Sequence, residues 1–247
     1  MNDTTPLKRL IARVRVKPAR RAAMPDGRRE RPGAKPRPRR LKREVREQMI
    51  VDEAVRYFAE VGFGGDTRAL AQRLGITQPL LFRYFPTKHA LIERVYQQVF
   101  VSHWNPEWER ILADRSRPLR ARLIDFYRDY ARLVLRPEWV RIFLFSGLTG
   151  QDLNQRYLRF IRDRVYVRLC AELRAHCGLP DTRRVPPSEL ELELVRWLNE
   201  KIFYFGVRRW VYNVPVPADV GAVIEDEVTA YLEGVPRAFR KLHRRRR

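Results

Sequence analysis

Residues 66–85, Asp66-Thr67-Arg68-Ala69-Leu70-Ala71-Gln72-Arg73-Leu74-Gly75-Ile76-Thr77-Gln78-Pro79-Leu80-Leu81-Phe82-Arg83-Tyr84-Phe85, read as two short helices hinged at Gly75. Leu70, Ala71 and Leu74 share one face of the first helix, whose N-cap is Asp66 or Thr67. Gly75 supplies the left-handed residue on which helices commonly end. Ile76 plugs the corner, Thr77 caps the second helix, and Pro79 falls in its first turn, where a missing N–H costs nothing. Leu81 and Phe85 then face inward beside Leu70 and Leu74. Gln78, Leu80, Phe82, Arg83 and Tyr84 are left for the outer surface or its rim. This is the pattern of a DNA-binding helix-turn-helix, whose second helix enters the major groove.

The flanks close a small helical domain around the motif. Val45, Met49, Ile50, Ala54, Val55, Phe58 and Val61 recur at three- and four-residue intervals, predicting one apolar helical stripe from Arg43 to the stop at Gly62. Phe63 is placed to reach back into that core. After Phe85, Pro86-Thr87-Lys88 turns a sharp corner, and Thr87 caps a long helix carrying Leu91, Ile92, Val95, Tyr96, Val99 and Phe100.

Residues 43 to about 100 resemble the DNA-binding domain of the TetR family of bacterial transcriptional repressors. The resemblance runs through Ala54, Phe58, Gly62-Phe63, Thr67, Leu70-Ala71, Leu74-Gly75-Ile76-Thr77, Leu81-Phe82, Tyr84-Phe85, Lys88 and Ala90-Leu91. It implies that Thr77, Gln78, Pro79, Leu80 and Tyr84 lie at or near DNA and that Lys88 meets a backbone phosphate. Thr67, Arg68, Phe82 and Arg83 complete the expected DNA-binding set. Gln78 carries the amide for bidentate recognition of adenine, Arg83 suits guanine or a phosphate, and Leu80 or Phe82 suits a thymine methyl. Phe82 and Pro79 could equally serve only to pack the domain. The stretch from Gly62 to Leu70 is one residue shorter than the family pattern, with Asp66-Thr67 where two threonines are common, so the entry to the first motif helix is expected to be shifted.

The rest of the 247-residue chain reads as helices only. Residues 106–115 form a polar continuation, 119–134 an amphipathic helix, 139–148 a short apolar segment, and 151–177 one helix ended by Gly178 and Pro180. Two long helices follow, 188–213 and 218–242, separated by Pro215 and Pro217. The fold class is therefore all-α, with an N-terminal helix-turn-helix domain and a C-terminal helical ligand-binding and dimerisation domain. The expected boundaries are a disordered basic arm at 1–42, the DNA-binding domain at 43–104, the helical domain at 105–242 and a basic tail at 243–247.

The formal charge of +22 is concentrated at the ends. Residues 1–42 carry 15 Lys/Arg against three acids, residues 237–247 carry seven basic residues and no acid, and 43–236 balance to +3. A polybasic arm adds affinity for phosphates and salt dependence without sequence preference. No stretch approaches the roughly 20 apolar residues of a membrane span, and two cysteines, Cys170 and Cys177, are poorly spaced for a disulfide within one helix, so a reducing, cytoplasmic setting is expected.

Enzymatic chemistry finds little support. The four histidines, His89, His103, His176 and His243, are scattered, no glycine-rich phosphate loop occurs, and Cys170, His176 and Cys177 supply at most two convergent metal ligands. No catalytic residue, cofactor or metal is expected. Tyr127, Tyr130, Trp139, Phe143, Tyr157, Trp197 and Tyr204 are the candidate ligand contacts, since aromatic residues with polar tips can orient a small molecule. Ordinary core packing accounts for each of them as readily. The resemblance implies homodimerisation through 188–213 and 218–242, a palindromic DNA operator, an unknown small-molecule effector and regulation as a repressor. The alternative is a sequence-tolerant nucleic-acid-binding protein driven by the polybasic tails.

Overall fold

The computed structural model describes residues 42–245. The expected basic arm, Lys42 apart, and the last two residues of the expected tail lie outside them. Every regular element among the described residues is helical.

Helix α1 (Arg43–Val61) buries Ile50, Ala54 and Phe58 of its predicted stripe together with Val51 and Tyr57, whereas Val45, Met49 and Val61, expected on that stripe, are exposed; the helix ends at Gly62, whose N–H bonds the Phe58 carbonyl. Phe63 does fold back, its ring 5.3 Å from that of Phe58. Helices α2 (Thr67–Arg73) and α3 (Gln78–Tyr84) form the motif, and α4 (Lys88–Tyr96) follows. The long helix expected after Thr87 changes pitch at Gln97–Val101, where one π-helical turn carries Val99 and Phe100 into the core.

The body begins with α5 (Glu107–Ala113) and α6 (Leu119–Val134). Helix α7 (Pro137–Leu148) packs on α1 on one side and on α8 and α10 on others, so it joins the N-terminal head, α1 to α4, to the body. The segment expected as one helix from 151 to 177 is α8 (Leu153–Ile161), a π turn at Arg162–Tyr166, and α9 (Val167–Cys177). The apolar spacing gives the physical reason. Leu153, Tyr157, Ile161, Val165, Leu169 and Leu173 are all buried and all four residues apart. At 3.6 residues per turn each such step overshoots by about 40°, so a straight α-helix would rotate the stripe by about 200° and carry its end toward solvent. The wider π turn takes up part of that rotation.

Helix α10 (Glu189–Trp210) opens with a capping box in which Ser188 and Glu191 satisfy each other's backbone N–H groups. Helix α11 (Val220–Arg244) extends two residues beyond the expected end, so His243 and Arg244 are helical rather than part of a tail, and it accommodates Pro236 in its interior. One buried core runs from Ile50 in α1 to Phe239 in α11, so head and body share an interior. Its densest part is aromatic: Phe100 of the head lies 5.0 Å from Trp139, which stacks on Phe143 at 5.1 Å and meets Tyr157 at 5.0 Å. Such pairs are worth about 0.5–1.5 kcal/mol each beyond the area they bury.

Two buried ion pairs stitch the body. Arg174, fully buried, grips Glu191 through Nε and Nη2, both at 2.7 Å, and donates to the carbonyls of Pro180, Val185 and Pro186. Burial alone would raise the Glu191 carboxyl, but hydrogen bonds from Arg174 and Ser188 outweigh it and hold the group at about 2. Arg122 bonds Glu172 at 2.8 Å and the Leu112 carbonyl, tying α5, α6 and α9 together.

Candidate nucleic-acid interface

The motif's geometry follows from five hydrogen bonds and two glycines. Asp66, rather than Thr67, caps α2, its Oδ1 accepting from Arg68 N–H at 2.9 Å. Thr77 Oγ1 accepts from Leu80 N–H at 3.4 Å, and Thr87 Oγ1 from Ala90 N–H at 3.0 Å. Gly75 is left-handed at φ +63°, as its place in the turn requires. The short entry loop leads into α2 at Thr67. Gly65 closes a turn onto the Gly62 carbonyl, and Tyr57 Oη donates to the Asp66 carbonyl at 3.0 Å. A Cβ at residue 65 would sit 2.6 Å from the Tyr57 ring, so only glycine lets the loop pass that close.

Leu70, Leu81 and Phe85 are buried, which fixes α3 against α2. Arg68, Thr77, Pro79 and Arg83 are exposed, and Gln78, Leu80, Phe82, Tyr84 and Lys88 are half-buried. The arrangement gives α3 a mixed outer face, with the Arg83 guanidinium free of any partner among the described residues. Thr67 stands apart from this face. It is 7% exposed, and its Oγ1 accepts a 2.9 Å hydrogen bond from Gln78 Nε2. Thr67 therefore orients Gln78: one amide N–H is held by Thr67, leaving the second N–H and Oε1, the pair that a bidentate clasp on adenine would use. Lys88 is the first residue of α4, beside the capped helix N-terminus, a setting in which an anion is favoured by both the ammonium and the helix dipole.

The head is latched to the body at a second point. Arg156 of α8 binds Glu93 of α4 through two hydrogen bonds, 2.5 and 3.0 Å, and its guanidinium lies 4.2 Å over the Tyr96 ring. The Arg156 hydrogen bond holds the Glu93 carboxyl below its ordinary value despite partial burial. Nothing in the spacing of Glu93 and Arg156, 63 residues apart, announces this pair.

The seven candidate ligand aromatics divide into two groups. Tyr127, Tyr130, Trp139 and Tyr157 are buried and Phe143 is half-buried within the aromatic core. Tyr130 and Tyr157 share a 2.8 Å hydroxyl hydrogen bond, and burial raises the pKa of both and of Tyr127. Trp197 and Tyr204 are instead 55% and 49% exposed on the outside of α10 and do not join that cluster. Sequence reasoning missed two neighbours in the core, Tyr166 and Asn199. Tyr166 Oη and Asn199 Oδ1, like Tyr127 Oη and Trp139 Nε1, are buried without a hydrogen-bond partner among the described residues. Each such atom costs about 1–3 kcal/mol if left unpaired. Cys170 is a buried free thiol pushed up to about 12, and Cys177 is free and half-buried.

Comparison with known proteins agrees with this architecture. The family model described as bacterial regulatory proteins, tetR family, matches residues 50–95. The tetracycline repressor protein class D of Escherichia coli is 32% identical over 101 residues, covering 37% of this chain and 46% of the repressor. The chain thus spans just under half the length of that relative. The HTH-type transcriptional regulator BetI of Burkholderia cenocepacia is 33% identical over 162 residues, covering 64% of this chain and 82% of BetI. Among solved structures, a tetR-family transcriptional regulator from Streptomyces coelicolor superposes with a TM-score of 0.55 at 22% identity, over 81% of this chain and 85% of that one. At that identity the likeness speaks for the fold, while the BetI match extends through head and body alike. The chain belongs to the TetR family of bacterial regulatory proteins.

Proposed function

We propose that the protein is a ligand-responsive DNA-binding transcriptional regulator, a repressor that binds a palindromic operator as a homodimer. The observation that carries this reading is α3, held by buried Leu81 and capped by Thr77, with Gln78, Pro79 and Arg83 on its outer face and Lys88 one turn beyond. Arg68 and Lys88 meet phosphates, Gln78 and Arg83 read base edges, and Leu80, Phe82 and Tyr84 form the rim. The relatives' names as repressors and transcriptional regulators support the same reading.

The dimer is supported by a seam on α10. Leu190, Trp197 and Tyr204 of α10 and Val211, the residue that caps its C-terminus, are all exposed large apolar residues, and they stand seven positions apart. Seven residues are nearly two helical turns, so the four line one face, the spacing that helix pairs use to bury each other. Helix α11 flanks the seam through a groove of about 390 Å³ that includes Trp197, Lys201 and Glu227. The two-fold axis places one α3 per half-site, about one turn (~34 Å) or somewhat more apart.

Ligand response has a route through α7 and the Glu93–Arg156 latch, which connect the body to α1 and α4. A ligand acts only to the extent that it binds one arrangement of head and body more tightly than another. No observation favours the tail-driven, sequence-tolerant alternative over this reading, because the balanced charge of residues 43–236 coincides with a formed reading head. Selection of bound fragments from random double-stranded DNA at moderate salt tests the proposal. Recovery of a two-fold symmetric sequence is expected; fragments with no common sequence would reject it.

A further inference from the structure

A cleft of about 680 Å³ opens between α6, the start of α7, the end of α10 and the start of α11, away from the aromatic core. Its floor is apolar, built from Ala131, Leu135, Phe205 and Ile224. Trp210 forms one wall, its indole N–H fixed by a 2.7 Å bond to the Leu135 carbonyl. Around this floor stand four arginines, Arg128, Arg132, Arg136 and Arg209, and one carboxylate, Asp219.

The partners of these charges decide what the cleft can hold. Asp219 is occupied in capping α11 through Ala222 N–H at 2.9 Å. Arg128 is occupied by Glu225 at 2.9 Å and the Gly221 carbonyl at 3.3 Å. Arg132 makes only a 3.5 Å contact with Asp129, whose other oxygen accepts from Trp108. Arg136 has no side-chain partner among the described residues, and Arg209 has none but the Trp210 ring, 4.6 Å from its guanidinium carbon. Two planar guanidinium groups without acids thus border an apolar floor of a size suited to a small molecule. A guanidinium matches a carboxylate with two parallel hydrogen bonds, whereas a bare inorganic anion would leave the apolar floor facing water.

We propose that this cleft binds a small organic acid, its carboxylate held by Arg136 and Arg209 and its apolar body lying on Leu135, Phe205 and Ile224 beside Trp210. As an assignment of effector class the proposal rests on the regulator reading; as a binding site it does not. Arg136 also borders a hollow of about 280 Å³ shared with Asp52, Val55 and Arg56 of α1, and it immediately precedes α7. An acid that draws Arg136 toward the cleft therefore acts on the junction between head and body.

Titration calorimetry of the full chain with decanoate and 2-naphthoate, and with the uncharged decanol and 2-naphthalenemethanol, tests the site. Saturable binding of at least one acid, with the matching alcohol at least tenfold weaker, is expected. In the double variant Arg136→Gln/Arg209→Gln, whose substituted side chains are exposed, the acid should bind at least tenfold more weakly while far-ultraviolet circular dichroism is unchanged. Equal binding of acid by the variant, equal binding of the alcohol, or no binding of either acid would overturn the site. A loss of DNA affinity by the variant with no acid present would assign these arginines to DNA and overturn it as well. Retention of selected DNA with and without acid separates the two readings: absence of any sequence preference defeats the regulator reading and leaves the calorimetry to decide the cleft, whereas acid binding that leaves DNA retention unchanged defeats only the effector assignment.

Discussion

In the head, the side-chain bonds that start the helices close over two or three residues: Asp66 to Arg68, Thr77 to Leu80 and Thr87 to Ala90. In the body, charged contacts between distant parts of the chain close over 17 to 105 residues, among them Arg174 to Glu191, Arg122 to Glu172, Arg128 to Glu225 and Arg120 to Glu225. The head is a set of locally specified turns on a small apolar core. The body depends on pairings that exist only after its helices have met. A locally specified surface can present the same face whatever the body does, while long-range pairings can be rebalanced by a ligand. That division suits the proposed regulator, in which a ligand held by the body would change how an unaltered reading face is carried.

The comparison can be broken most severely at Arg174. Its replacement by Ala leaves Glu191 buried beside an empty space, and breaking a buried pair in this way costs about 3–5 kcal/mol. Urea denaturation should show that loss. The pair also predicts a pH window. The Glu191 carboxyl is held at about 2 in the folded chain, below its ordinary value near 4.3, so its contribution is fully present above that ordinary value and is lost as pH falls toward 2. Glu191→Gln should flatten the decline of stability over that window, measured by denaturation at a series of pH values.

In the head, Gly65→Ala forces a Cβ into the Tyr57 ring and should cost about 1–3 kcal/mol, with weaker DNA binding because the bond from Tyr57 to Asp66 is disturbed. A melting temperature equal to that of the unsubstituted chain would show that the short entry loop is slack. Removing a single local cap gives the smallest effect. Thr87→Ala should cost about 1 kcal/mol and lower DNA affinity evenly across sequences, since α4 would present Lys88 less firmly. An effect on base preference, read from competition with altered sites, would contradict the separation of phosphate from base contacts.

The same difference in reach explains what was legible in the sequence. Gly75, Thr77 and Thr87 could be assigned because each role needs only the residue and its near neighbours. The inward placement of Leu81 and Phe85 followed from helical periodicity. The π turn at Arg162–Tyr166 was missed because a run of four-residue spacings still looks helical, although the unbroken run from Leu153 to Leu173 contained the signal. Gln78 looked free, yet it bonds Thr67, eleven residues back across the motif, a contact that appears only once α2 and α3 have crossed. The Glu93–Arg156 latch was out of reach for the same reason, as was the separation of Trp197 and Tyr204 from the other aromatics. The seven-residue spacing on α10 was there to be read, but its meaning depended on which face of α10 the core leaves uncovered.

The central claim is that sequence is read by α3 and not by the basic ends. The direct measurement is the affinity of the chain lacking residues 1–41 for a selected fragment and for a scrambled one across a range of salt concentrations, beside the full chain and its Gln78→Ala variant. The account predicts that truncation lowers affinity for both fragments and makes the salt dependence shallower while preference for the selected fragment persists. It predicts that Gln78→Ala reduces that preference by about 1–3 kcal/mol at the base pair it contacts. Loss of all preference on truncation, with preference intact in Gln78→Ala, would contradict it.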